Sequence, residues 1–142
     1  MTPVRVVLDT NILISAAIQP AGIPANLIDA VALRALTLYV SEDILAEYRE
    51  VLSRPKFARL NPGRVARLFT VLAAEAVMVQ PPRRSTASRD EADNRFLECA
   101  EVADAEYLVT GNTKHFPERY KATKIVTPRQ FWEIITAPPH RA

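Results

Sequence analysis

The chain has 142 residues, of which 49% are hydrophobic and 24% are charged. This composition predicts one globular domain over residues 1–142 and excludes a disordered chain. Lysine and arginine exceed aspartate and glutamate by only two charges, so the net charge does not by itself indicate a polyanionic partner.

Cysteine usage and the first residues indicate a compartment. The single cysteine, Cys99, cannot form an internal disulfide, and Met1 leads into a strand-like segment without a signal-peptide pattern. These features predict a cytoplasmic protein. No apolar run approaches the roughly 20 residues that cross a bilayer, so we expect no membrane association. Three glycines in the whole chain argue against a dinucleotide fingerprint or a phosphate-cradling loop.

Strand and helix patterns alternate along the chain. Short apolar or β-branched runs predict strands at Val4–Leu8, Leu38–Val40, Val77–Val79, Tyr107–Thr110 and Ile125–Val126. Helical spacing predicts helices over 25–36 and after the capping residues Ser41, Asn61, Asp90 and Thr127. The alternation predicts an α/β fold, a three-layer α/β/α sandwich with a mostly parallel central sheet.

Polar residues follow two of the predicted strands. Asp9 ends the first strand, within the polar triplet Asp9-Thr10-Asn11, and Asn112 follows the 107–110 strand after Gly111. Ligands of open parallel sheets bind outside the carboxyl ends of the strands, where both residues would lie. Taken singly, each is also an ordinary turn or helix-capping residue.

Three further acids lie on predicted helices. Glu47 stands at the edge of an apolar stripe, where it can either face a cleft or cover the core with its stem. Asp93 precedes Phe96 and Leu97 at helical spacing, so its carboxylate shares the core-facing side and needs a partner. Asp90 is placed to cap the same helix, with a supporting role at a metal as the alternative.

Carboxylates gathered at one sheet edge repel one another, and protons or a cation must neutralise them. Oxygen ligands favour Mg²⁺ or Mn²⁺. His115 and His140 lack metal-ligand spacing, which argues against zinc. No serine has the glycine pattern of a nucleophile elbow, which argues against a Ser-His-Asp hydrolase.

Nearly the whole chain resembles the PIN-domain nucleases, in particular the small VapC-like toxin components of toxin–antitoxin pairs. The similar segments are 6–16 (VVLDTNILISA), 41–52 with Glu47, 90–100, 107–112 (YLVTGN) and 125–128 (IVTP) before a closing helix. Each segment is weakly specific alone, but together, in this order and at these intervals, they are a specific signal.

The resemblance implies a metal-dependent endoribonuclease that cleaves by water attack and leaves a 5′-phosphate. Asp9, Glu47 and Asp93 fall on the family's acidic positions and would bind Mg²⁺ or Mn²⁺ and orient the attacking water. Asp90 and Asn112 would complete the metal site. Residues supporting these ligands through hydrogen bonds would be Thr10, Asn11 and Thr110, each of which is otherwise an ordinary capping residue.

The chain departs from the family at Asn112, where an aspartate usually follows Thr-Gly. An amide brings no charge, so affinity for a second cation should fall. RNA contacts would come from basic residues near the acidic positions, namely Arg83, Arg84, Arg89 and Lys114. The resemblance also implies an antitoxin partner and a homodimer.

Two alternatives stay open. A PIN fold with weak or no activity could bind RNA or a protein without cutting, which Asn112 would permit. A phosphatase or receiver domain also places an aspartate after a parallel strand. However, Asn11 stands where the phosphatase needs a second aspartate, and Thr127-Pro128 stands where the receiver needs a lysine.

The helical apolar residues allow two roles. Leu27, Val31, Leu68 and Leu72 could form a dimer or antitoxin surface, although a helix-on-sheet core is the commoner role for such residues.

Overall fold

A computed structural model describes residues 2–82, 87–88 and 90–138. The strands are β1 (Val4–Leu8), β2 (Leu36–Val40), β3 (Val77–Met78), β4 (Tyr107–Val109), β5 (Arg119–Tyr120) and β6 (Thr123–Val126). The helices are α1 (Thr10–Ile18), α2 (Ile23–Ala32), α3 (Glu42–Leu52), α4 (Pro62–Glu75), α5 (Glu91–Ala103) and α6 (Pro128–Thr136). Short 3₁₀ turns form at Pro55–Phe57 and Thr113–His115.

The strands form one sheet in the order β3-β2-β1-β4-β6-β5. Every pairing is parallel except that of β5 with β6. After β1 the chain moves to β2 on one side and later returns to β4 on the other. The order therefore reverses next to β1 and β4, which is where open parallel sheets bind their ligands.

The core lies between the sheet and its helices. Val6, Val7 and Leu8 of β1 are fully buried, as are Leu38 of β2 and Leu108 of β4. Because β1 has strands on both sides and helices above and below, its last three side chains form an apolar run, as expected of a buried parallel strand. The predicted mostly parallel α/β architecture is confirmed.

Helix capping follows the predicted chemistry. Ser41 Oγ accepts a hydrogen bond from Ile44 N at 3.2 Å, and Asp90 Oδ1 accepts one from Ala92 N at 2.9 Å. Asn61 and Thr127 cap α4 and α6 in the same way, and each precedes a proline at the first helical position. The predicted starts of these four helices are confirmed.

The structure corrects one predicted element. The second helix ends at Ala32 rather than Leu36, because Arg34 adopts a left-handed conformation (φ 62°) and Leu36 pairs with Val4 in the sheet. Of the two roles that the sequence leaves open for Asp9, turn residue or helix cap, the structure has the cap, since α1 begins immediately after it.

The predicted apolar stripes face inward. Leu27, Val31, Leu68 and Leu72 are all buried in the hydrophobic core, so these side chains form core and not a free surface. No single helix in the described ranges is long and apolar enough to cross a bilayer. Helices α1 and α2 pass that length and composition test only as a pair, bent by 104° at the break between them.

Candidate functional site

Asp9 lies at the carboxyl end of β1, where the strand order reverses. Its Oδ1 accepts a hydrogen bond from the backbone N of Thr10, and its Oδ2 accepts one from the Thr110 hydroxyl, both at 2.7 Å. Burial raises the pKa of the Asp9 carboxyl above its usual value, and these two hydrogen bonds oppose the rise. The side chain is therefore held rigidly at the end of β1, with an environment that penalises its charge.

Glu47 reaches the same edge from α3. The Thr10 hydroxyl donates a hydrogen bond to Glu47 Oε2, so Thr10 contacts both carboxylates: Asp9 through its backbone and Glu47 through its side chain. Burial, followed by the charge of Asp9, raises the pKa of Glu47, while the Thr10 hydrogen bond lowers it. Glu47 is half-buried, and its hydrogen bond to Thr10 holds its carboxylate at the end of β1.

Tyr48 fixes α3 against β1. It is fully buried, and its hydroxyl donates a hydrogen bond of 2.5 Å to the Leu8 carbonyl, one residue before Asp9. Since Tyr48 directly follows Glu47, this bond sets the distance between the two chain segments that carry Asp9 and Glu47.

Asp93 enters from the first turn of α5. Within the described part of the chain its Oδ2 is buried and accepts no hydrogen bond, and His115 Nδ1 lies 3.7 Å from it. Burial, followed by the charges of Asp9 and Asp90, raises the pKa of Asp93 to about 7. A buried carboxylate oxygen without a hydrogen-bond donor is costly unless a proton or a cation reaches it.

Asp90 serves as the N-cap of α5, as its position in the sequence predicts. Its carboxylate also raises the pKa values of Asp9, Glu47 and Asp93, which places its negative charge near all three. The acids on β1, α3 and α5 therefore form one electrostatic group, which we call the acidic cluster: Asp9, Glu47, Asp90 and Asp93.

Asn11 and Asn112 form hydrogen bonds with the chain at the end of β4. Asn11 Oδ1 accepts a hydrogen bond of 3.3 Å from Gly111 N, which ties the start of α1 to the segment after β4. The backbone N of Asn112 donates to the Thr110 hydroxyl at 3.0 Å, so Thr110 is held from one side while it donates to Asp9 on the other. Asn112 itself is exposed beside the acidic cluster.

The donor chemistry of the acidic cluster fits a hard cation. Its candidate ligand atoms are carboxylate oxygens, and Asp93 Oδ2 is a buried oxygen that accepts no hydrogen bond from the described residues. In residues 2–82, 87–88 and 90–138, however, no three side chains of histidine, cysteine, aspartate or glutamate are already placed as a metal site. A cation would thus draw the carboxylates closer together than they stand in this structure.

The basic residues predicted near the cluster are only partly described. Lys114 is exposed on the 3₁₀ turn after β4, and it lines two cavities, one of which is also lined by Asp90 of the acidic cluster. Arg83, Arg84 and Arg89 lie outside the described residues, as does His140.

Reasoning from the sequence missed two contributors to this site. His115 contacts Asp93 although no ligand spacing singles it out, since a loop brings it back to α5. Tyr48 reads as one more apolar position of the α3 stripe, and only its hydroxyl bond to Leu8 distinguishes it. The one available signal for His115 was its closeness in sequence to the end of β4.

The comparisons with known proteins concern the family and the fold. The profile of the PIN domain family matches residues 5–114. The uncharacterized protein MJ1680 of Methanocaldococcus jannaschii is 30% identical over 141 residues, covering 92% of this chain and 90% of that protein. The crystal structure of VapBC2 from Rickettsia felis bound to a DNA fragment from their promoter is similar in fold. Its TM-score is 0.57 at 17% identity, over 87% of this chain and 98% of the matched chain. The chain belongs to the PIN domain family.

Proposed function

We propose that this PIN domain is a metal-dependent endoribonuclease that hydrolyses phosphodiester bonds with an activated water and acts as the toxin of a toxin–antitoxin pair. The observation that carries the nuclease proposal is the meeting of Asp9, Glu47 and Asp93, from three separate elements, at the reversal point of the sheet. Membership of the PIN domain family supports it.

In this proposal Asp9, Glu47 and Asp93 hold Mg²⁺ or Mn²⁺, with Asp90 and Asn112 as neighbouring oxygen donors. The bound cation would neutralise the carboxylates, admit a phosphodiester and make water a better nucleophile. Thr10 and Thr110 orient the carboxylates, because each hydroxyl donates to one of them. Glu47 Oε1, the oxygen not bonded to Thr10, is the atom that would orient the attacking water.

The test of activity is cleavage of single-stranded RNA in Mn²⁺ by the wild type and by Glu47→Gln. We expect the variant to lose at least about a hundredfold in rate, as is usual when an acid–base or charge-stabilising group is removed. Glu42→Gln is the matched control, because Glu42 lies exposed on the same helix, is not among the charges that shift the pKa values of Asp9, Glu47 and Asp93, and should keep wild-type activity. Cleavage that is equal in Glu47→Gln, or that persists in EDTA, would contradict the proposal.

The toxin role rests on the likeness in fold to the Rickettsia felis VapBC2 structure. With the toxin role we also propose that the protein has a cognate antitoxin, forms a homodimer and acts on RNA in the cytoplasm. We expect expression of the wild type to arrest growth and Glu47→Gln to relieve the arrest. Growth that continues under wild-type expression would reject the toxin role and leave the nuclease proposal standing.

Asn112 supports a second candidate, a PIN domain that binds RNA or a protein but cuts weakly or not at all. An amide contributes no charge where a carboxylate would strengthen cation binding. Asn112→Asp separates the candidates: a gain of activity from an inactive wild type would establish the binding module. Activity in the wild type that the substitution only modulates would establish the nuclease.

A further inference from the structure

Two cavities flank the 3₁₀ turn Thr113–His115 and share Lys114 and Pro117 in their walls. The first, of about 650 Å³, is also lined by Asp90 and His115 and so adjoins the acidic cluster. The second, of about 780 Å³, lies between this turn, β6 and α6, and we call it the β6 cavity. The two cavities are therefore neighbours, and Lys114 lines both of them.

The β6 cavity combines an apolar floor with a hydrogen-bonding rim. Ile125 and Val126 of β6 and the exposed Ile134 of α6 form the floor. Pockets of a few hundred cubic ångströms with an apolar lining and a few polar groups are typical of small-ligand sites. A flat, mostly apolar ligand with polar edges would match this cavity.

Gln130 and two glutamates define the rim. Gln130 Oε1 accepts a hydrogen bond of 2.9 Å from Thr127 N, so its amide NH₂ is the group left for a ligand. Glu118 is held beside the floor, because its carbonyl accepts a hydrogen bond from Ile125 N at 3.1 Å. Together with Glu133, the rim offers carboxylate acceptors and one amide donor.

Two lysines supply the positive charge. Lys114 stands between the cavities and Lys124 lines the β6 cavity, and both are exposed. Among the residues that the structure describes, neither lysine makes an ion pair within 4 Å. Exposed ammonium groups without carboxylate partners, placed at two neighbouring cavities, suit the phosphates of a nucleic acid backbone.

We propose that the β6 cavity binds one unstacked base of the RNA substrate, next to the phosphate at the acidic cluster. This inference rests on the proposed ribonuclease function. Single-stranded RNA is commonly recognised through splayed bases that bind apolar surfaces and are hydrogen-bonded at their edges. The carboxylates of Glu118 and Glu133 accept hydrogen bonds and donate none, so the cavity favours bases with an exocyclic amino group, such as cytosine, over uracil.

The test compares short oligoribonucleotides of equal length, one of uridine throughout and one of cytidine throughout, by fluorescence anisotropy in EDTA. We expect the wild type to bind the cytidine oligomer on the order of fivefold more tightly. Glu133→Gln should reduce this preference, because an amide can also donate to uracil O4. Glu42→Gln should keep it, since Glu42 lines neither cavity.

The lysine arm uses Lys124→Ala against Lys121→Ala, an exposed lysine of the same hairpin that lines neither cavity. Lys124→Ala should weaken binding of both oligomers and lower the slope of log affinity against log salt by roughly 0.7, whereas Lys121→Ala should not. The proposal is overturned if the two oligomers bind equally, or if Glu133→Gln leaves the preference for the cytidine oligomer unchanged. In either case, RNA cleavage by the wild type leaves the proposed nuclease function standing. A wild type that neither binds nor cleaves RNA overturns both.

Discussion

Asp93 lies in an environment that opposes its own charge. Its Oδ2 is buried without a hydrogen-bond donor in the described residues, and burial with the charges of Asp9 and Asp90 raises its pKa to about 7 from an ordinary 3.8. At a pH between these two pKa values, Asp93 is protonated in the folded protein but ionised in the unfolded chain. The free energy of unfolding therefore falls as the pH rises from about 4 to about 7, and the full penalty is present above pH 7.

Asp93→Asn should remove this penalty in the metal-free protein. We expect the variant to exceed the wild type in free energy of unfolding by on the order of 2–3 kcal/mol at pH 8, and to match it near pH 4. Urea denaturation in EDTA across this range measures the difference. Asp104→Asn is the matched control, because Asp104 is exposed and asparagine also tolerates its left-handed conformation. A pH profile that is the same for wild type and Asp93→Asn would contradict the assignment.

Tyr48 gives a second prediction at this scale. Tyr48→Phe removes the hydrogen bond to the Leu8 carbonyl, leaves that buried oxygen with one partner fewer and should cost about 1–2 kcal/mol of stability. Because the bond aligns α3 with the end of β1, we expect kcat for RNA cleavage to fall more than KM rises. Tyr39→Phe, on the half-buried β2 position, should change neither quantity appreciably. A loss of stability with kcat unchanged would show that the bond serves the fold alone.

The orientation of a single side chain could be predicted from the sequence where its spacing from buried residues of the same helix determines that orientation. Asp93 precedes Phe96 and Leu97 on the same helix, so their burial carries its carboxylate inward. His115 could not be predicted in the same way, because its contact with Asp93 depends on the path of the loop after β4. Spacing along one helix is a local property, whereas the return of a loop to another element is not.

Helix α5 is connected to the short segment at 87–88 by a pair of hydrogen bonds. Asn94 Oδ1 accepts from Ser88 N at 2.9 Å, and Asn94 Nδ2 donates to the Ser88 carbonyl at 3.0 Å. The Ser88 hydroxyl in turn donates to the His115 carbonyl at 2.8 Å. These contacts join α5 to the 3₁₀ turn at Thr113–His115, so Asn94 positions both sides of the 650 Å³ cavity.

Asn94→Ala should break this connection. Two buried backbone groups of Ser88 lose their partner, so we expect a cost of about 2–4 kcal/mol in the free energy of unfolding. Faster hydrogen exchange at the Ser88 amide would locate the effect. Asn26→Ala, on a half-buried position of α2, is the control and should leave exchange at Ser88 unchanged. Protection at Ser88 that survives Asn94→Ala would contradict this account.

Helices marked by a capping residue and a periodic apolar pattern could be predicted from the sequence, whereas helices and strands without such a pattern could not. Helices α3, α4 and α6 begin at Ser41, Asn61 and Thr127, whose side chains accept backbone hydrogen bonds. Helix α1 is apolar around most of its circumference, so it shows no helical stripe, and only Asp9 marks its start. Strand β5 has two residues, which are too few for a periodic pattern.

At the scale of the whole molecule, the parallel sheet explains why acids distant in sequence meet. Parallel strands end at one edge, so Asp9 and Thr110 come together although they are 101 residues apart. This convergence follows from the predicted topology. The separation of the carboxylates depends on helix packing, which composition and periodicity do not specify. The net charge of +2 likewise conceals an acidic cluster beside exposed lysines.

Under the proposed function, a cation bound at the acidic cluster should stabilise the whole fold. A ligand that binds only the folded state stabilises it by mass action, by about 2.7 kcal/mol at a concentration near 100 times its dissociation constant. For a domain of this size that corresponds to a rise in Tm of roughly 10 °C. We expect thermal unfolding at pH 8 to show such a rise with Mn²⁺, and the rise to be largely lost in Asp9→Asn. Glu42→Gln should retain it, and a shift of equal size in Asp9→Asn would place the cation elsewhere on the protein.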